Sequence, residues 1–154
     1  MKVSVIFIIW ACLVSLLVSG CFDHAMVKGY AGPDMEVQEL ATIEINGNCY
    51  LEVDGAAVEL PKLGLNDVHV QFRPGIRDIG CTLDPFFWGF DFSMGGTFKA
   101  EAGRTYKVQL RWLEKSLTEA ADHATWLEDM ETKEVMVGRK PEWVDGKKSK
   151  GISF

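Results

Sequence analysis

In Val68 to Phe72, VHVQF, apolar residues alternate with polar ones, so Val68, Val70 and Phe72 face one way and His69, Gln71 and Arg73 the other. That period of two predicts a strand with one wet side. FFWGFDF from Phe86 alternates in the same way, with Phe86, Trp88, Phe90 and Phe92 on one face. FKAEAGRTYKVQLRW reads as a strand, a turn at Ala102-Gly103-Arg104, and a strand with Tyr106, Val108, Leu110 and Trp112 aligned. Upstream, LATIEI is rich in branched residues and Asn46-Gly47 is a strong hairpin signal. CYLEV follows, then a second turn at Asp54-Gly55. AAVEL runs into Pro61, which a central strand would not tolerate. LEKSLTEAADHA, from Leu113, replaces alternation with helical spacing, and predicts a short helix or an excursion. TWLEDMETKEVMVG predicts a closing hairpin that turns near Glu131 to Lys133. About seven short strands with frequent turn signals predict an all-β fold, a small antiparallel β-sandwich.

The first residues follow a different rule. Met1-Lys2 is a positive end, Val3 to Val18 is apolar but for Ser4 and Ser15, and Val18-Ser19-Gly20 leads into Cys21. The run is shorter than the ~20 residues that span a bilayer, and its order is that of an export signal. The segment resembles a bacterial lipoprotein signal, in which the cysteine after small residues is acylated and becomes the first mature residue. This implies a signal peptide at 1–20 and membrane attachment through acyl chains on Cys21. Trp10 and the continuing apolar run make Cys12 a poor rival. One acyl chain binds reversibly, whereas several, palmitate among them, give stable anchoring. Residues 21–38 mix Gly, Pro and charge without a period and read as a tether. The sandwich is expected at 39–138, and a flexible basic tail with Arg139, Lys140, Lys147, Lys148 and Lys150 at 139–154.

A second resemblance rests on GYAGP (Gly29 to Pro33), FKAEAGRTYKV (Phe98 to Val108) and TWLEDMETKEVMVG (Thr125 to Gly138). These are similar to a group of small proteobacterial lipoproteins of unassigned function. Glu134 stands where that group commonly has glycine, and residues 81–93 have no counterpart in it. The resemblance implies an envelope lipoprotein with a compact β domain, and no transferable activity.

With 154 residues, 47% of them apolar, the chain can form one cored domain. Its formal charge of −6 becomes more negative once Lys2 is removed. This excludes nucleic acid as the leading partner, since that role needs clustered Lys and Arg. In an oxidising compartment Cys49 and Cys81 form an even pair. A disulfide between them is expected, and would close a loop worth roughly 3–4 kcal/mol. Two buried thiols are the alternative.

Candidate chemistry is sparse. His24, His69 and His123 have no ligand-like spacing, so neither a metal nor a cofactor is expected. No serine lies in a Gly-x-Ser-x-Gly elbow. Gly95-Gly96 reads as a hairpin turn. The acids Glu128, Asp129, Glu131 and Glu134 would suit a hydrolase only by converging in a pocket. The row Phe86 to Phe92 fits a core, which leaves Phe87 as the possible surface contact. The expected role is non-enzymatic: an envelope lipoprotein that binds or scaffolds an envelope protein or glycan. A subunit of a secretion or envelope assembly is the alternative, and a cell-wall or glycan hydrolase the reading from another class. Phe22 precedes Asp23, the common inner-membrane retention residue, by one position. The outer membrane, facing the periplasm, is therefore favoured over the inner.

Overall fold

The alternation read along the chain becomes alternation of burial. The computed structural model describes residues 25–46, 48–61, 67–83, 93–113 and 122–145. These form ten strands: β1 (Ala25–Lys28), β2 (Ala41–Asn46), β3 (Cys49–Val53), β4 (Ala56–Val58), β5 (Asp67–Phe72), β6 (Gly75–Leu83), β7 (Ser93–Ala100), β8 (Thr105–Leu113), β9 (Asp122–Asp129) and β10 (Val135–Gly138). Helical structure among them is confined to 3-10 turns at Val37–Glu39 and Glu142–Asp145. No helix among the described residues is long and apolar enough to cross a membrane.

The strands build two sheets, one of six strands in the order β1-β5-β2-β8-β9-β10 and one of four in the order β4-β3-β6-β7. The core lies between them. Ile43, Ile45, Val68, Val70, Phe72, Tyr106, Leu110 and Leu127 come from the larger sheet, and Leu51, Val53, Ile79, Cys81, Met94 and Phe98 from the smaller. Phe98 makes edge-on contacts with Phe72 and Tyr106, with ring centroids 6.4 and 5.0 Å apart. Such contacts between rings add to the apolar area they bury.

The all-β sandwich expected from the periodicity is what the chain forms, but the connections differ. β1–β5 and β2–β8 are parallel, so the larger sheet is mixed. The expected hairpin of β2 and β3 does not form, because the two strands belong to different sheets. Residues 101–104 likewise carry the chain from β7 in one sheet to β8 in the other. Asp54-Gly55 is a true hairpin turn between β3 and β4, with both residues at positive φ. Gly95 and Gly96 are not a turn: they lie inside β7, paired with Gly80 and Ile79. Of the stretch expected to be helical, Leu113 ends β8 and 122–124 begin β9, and residues 114–121 lie outside the described residues.

The tether must also be redrawn. Its described part, from Ala25, opens with β1, which pairs with β5 at four successive positions. The expected disulfide is overturned by register. Cys49 lies opposite Leu83 and Cys81 opposite Leu51, so the two thiols are diagonal neighbours on the inward face. Diagonal Cβ atoms are roughly 7 Å apart, against the roughly 4 Å that a disulfide requires. The two cysteines are buried and not bonded to each other.

Candidate functional site

Because Ile43 and Ile45 point into the core, Glu44 projects from the opposite, outer face of the six-stranded sheet, and register gathers its neighbours. Met26, His69, Glu44, Lys107 and Glu128 occupy matched positions on five adjacent strands, β1, β5, β2, β8 and β9. Lys107 Nζ donates to Glu44 and lies 3.4 Å from Asp67 Oδ2. His69 Nε2 is 4.0 Å from Glu44 Oε2. The side chains are largely withdrawn from water, at 15% exposure for Lys107, 18% for Glu44 and 14% for Asp67.

Two carboxylates thus share one lysine, and their acidities separate. Burial pushes Glu44 up, but the hydrogen bond and charge of Lys107, aided by Asp67 and His69, outweigh it and hold the carboxyl below its ordinary value. Asp67 goes the other way: burial and the neighbouring Glu44 raise it despite Lys107. The group includes no serine or cysteine, and no group of three or more His, Cys, Asp or Glu among the described residues could hold a metal ion.

The acids singled out in the sequence have a different arrangement. Glu128 and Asp129 project from opposite faces of β9. Glu128 accepts a hydrogen bond from Trp126 Nε1 at 3.2 Å on the outer face. Asp129 Oδ1 accepts the backbone N–H groups of Glu131 and Thr132 at 2.8 and 2.9 Å, which builds the turn into β10. Burial raises the Asp129 carboxyl, but those two N–H groups and Arg104 outweigh it and hold it low. Glu131 pairs with Arg104 at the surface and Glu134 is exposed. The four acids splay around a turn and line no common pocket.

The quoted motifs also acquire physical reasons. In GYAGP, a Cβ on Gly29 would come within 2.8 Å of Val70 Cγ1 and 3.0 Å of the Gln71 carbonyl oxygen. Gly32 has φ +104°, and a Cβ there would meet the Arg73 guanidinium at 2.8 Å. The Tyr30 ring lies beside Lys28 and Arg73, and its hydroxyl accepts the Met35 N–H. Arg73 donates to the Ala31 carbonyl and Gly29 N–H to the Gln71 carbonyl. The segment is therefore a latch that fastens β1 to the sheet. In AGRTY, the Tyr106 hydroxyl accepts the Glu101 N–H at 2.9 Å and so fixes the turn between the sheets, as a tyrosine corner does.

His123 is exposed at the start of β9, and Lys140 pairs with Asp145 at 2.8 Å. Cys21, His24, Phe87, the aromatic row 86–92 and Lys147, Lys148 and Lys150 lie outside the described residues. Sequence reasoning missed the Glu44–Asp67–Lys107 group. Alternation puts each of these residues on a polar face, but nothing local pairs β2 with β8. No family model, curated protein or solved structure matches the chain.

Proposed function

We propose that this protein is a non-enzymatic lipoprotein of the bacterial cell envelope, anchored through acyl chains on Cys21, whose β-sandwich binds or scaffolds another envelope component. The observation that carries the proposal is the order at the N-terminus: Lys2, an apolar run too short to span, Val18-Ser19-Gly20, then Cys21. A strand that begins at Ala25 fits a mature chain starting at Cys21. The resemblance to small proteobacterial lipoproteins supports the same reading, and the outer membrane facing the periplasm is the favoured location. Tyr50 and Ile76, 65% and 75% exposed, favour a binding role, since large exposed apolar groups suit contact with a partner. The splayed acids lend no support to a hydrolase.

The test is Cys21→Ser in cells. Wild type is expected to fractionate with membranes and to carry acyl groups by mass spectrometry, and the variant to remain unprocessed and unacylated. Unchanged processing and fractionation of the variant would overturn the proposal.

A further inference from the structure

We infer that the sandwich stands end-on to the bilayer, with the end at which β1 begins held against the lipid head groups and the opposite, charged end directed away. The inference rests on the lipoprotein reading above and gives its membrane surface a place in the fold.

Only Phe22, Asp23 and His24 separate Cys21 from Ala25. Whatever their conformation, four Cα–Cα steps reach at most about 14 Å. An acylated Cys21 lies at the membrane interface, so the start of β1 lies within that distance of it. The nine-residue strand β6 is about 30 Å long, so the far end of the sandwich is beyond that reach. Nor can β1 swing away from the domain. It is held by its parallel ladder to β5, by the Gly29–Gln71 hydrogen bond at 2.7 Å and by the contact of Arg73 with Ala31.

Register identifies the rest of this end. Ala25 pairs with Val68, Asp67 with Asn46, Cys49 with Leu83, and Thr82 with Ser93. β8 ends here and β9 begins here, with Leu113 opposite Asp122. Met26 and Tyr50, 53% and 65% exposed, are close to this end, and Thr82 and Ser93 are exposed and uncharged. Side chains of this kind suit the interfacial layer. Glu59 and His123 are exposed titratable groups at the same end. The ion pairs Lys28–Asp34, Arg77–Asp54 and Arg104–Glu131 all lie at the other end, with the exposed acids Glu101 and Glu134. Anionic head groups would repel those acids. Ile76 is also exposed at the charged end, so apolar exposure alone does not choose between the two; the short link does.

β7 supplies a ruler. Ser93 and Lys99 are both exposed on its outward face, about 20 Å apart along the strand. The full acylated protein is placed in phosphatidylethanolamine–phosphatidylglycerol vesicles containing head-group spin-labelled lipid, with a fluorescent amino acid replacing Ser93 or Lys99. Quenching is expected to be several-fold stronger at 93 than at 99. Twelve Gly/Ser residues inserted between His24 and Ala25 are expected to abolish the difference while flotation with vesicles persists. Equal or reversed quenching in floating protein overturns the orientation alone. Protein that does not float and carries no acyl mass overturns the anchor as well.

Discussion

Two groups of acids in this chain teach opposite lessons about proximity. Glu128, Asp129, Glu131 and Glu134 are neighbours in sequence, yet their main partners differ: a tryptophan N–H, two turn amides with Arg104 3.7 Å away, that same arginine at the surface, and open water. Glu44 and Asp67 are 23 residues apart and share one lysine from a third strand. In the first group Asp129 has two turn amides as donors besides the arginine, whereas the second depends on Lys107 for its charge balance. The strand spacing and register of a sheet, rather than distance along the chain, decide which charges interact.

If that contrast is right, removing the cation should matter in one group and hardly at all in the other. Lys107→Met should cost about 2–3 kcal/mol at pH 7 in urea unfolding, because it leaves two half-buried carboxylates without their counter-charge. The loss should shrink on acidification as those carboxylates take up protons. Arg104→Met should cost no more than about 1 kcal/mol, since Glu131 is 75% exposed and Asp129 keeps its amide donors. Equal costs for the two would abolish the distinction.

A sharper version tests what the hairpin acids do. Asp129→Ala removes the acceptor for two turn amides and should cost about 1–2 kcal/mol, whereas Glu134→Ala, exposed, should cost less than about 0.5 kcal/mol. The Asp129 carboxyl is held low in the fold, so its contribution is present above the ordinary aspartate range and fades as pH falls through its folded value. The stability difference between wild type and Asp129→Ala should therefore narrow below about pH 4. A gap that stays constant with pH would mean that charge at Asp129 has no part in the turn.

Much of this was legible, and the reason is local. Val68, Val70 and Phe72 are buried as their alternation requires, and the Asp54-Gly55 and Glu131 to Lys133 turns fall where their residues place them. What could not be read depends on which strands meet. Asn46-Gly47 carries the same chemistry in a hairpin as in a corner between sheets, and only the pairing of β2 with β5 and β8 decides between them. Cys49 was correctly placed on a strand and wrongly paired with Cys81, because a shift of two residues in register separates a disulfide from two diagonal thiols. Glu44 and Lys107 meet through a parallel pairing of strands some 60 residues apart, for which the sequence has no local sign. The latch at Gly29 to Pro33 was visible as a motif but read as a tether, since its two glycines are explained by the backbone and side chain they approach, which come from β5 and Arg73.

The finest distinction lies within the outer-face group itself, between two carboxylates on one lysine. Glu44 has its acidity strengthened by the fold, so its charge contributes stability above the ordinary glutamate range, lost as pH falls through the folded value. Asp67 is raised, so its protonated form is the favoured one: its contribution is present at low pH and is lost as pH rises through its folded value. At pH 7 Glu44→Gln should therefore destabilise by about 1–2 kcal/mol, while Asp67→Asn, which mimics the protonated acid, should be neutral or slightly stabilising. On acidification toward pH 4 the cost of Glu44→Gln should fall and any benefit of Asp67→Asn should disappear. Chemical denaturation of both variants across pH 4–8 measures this. Equal destabilisation by the two at pH 7 would mean that Lys107 holds the carboxylates as equivalents, and the opposite shifts of two acids on one cation would be lost.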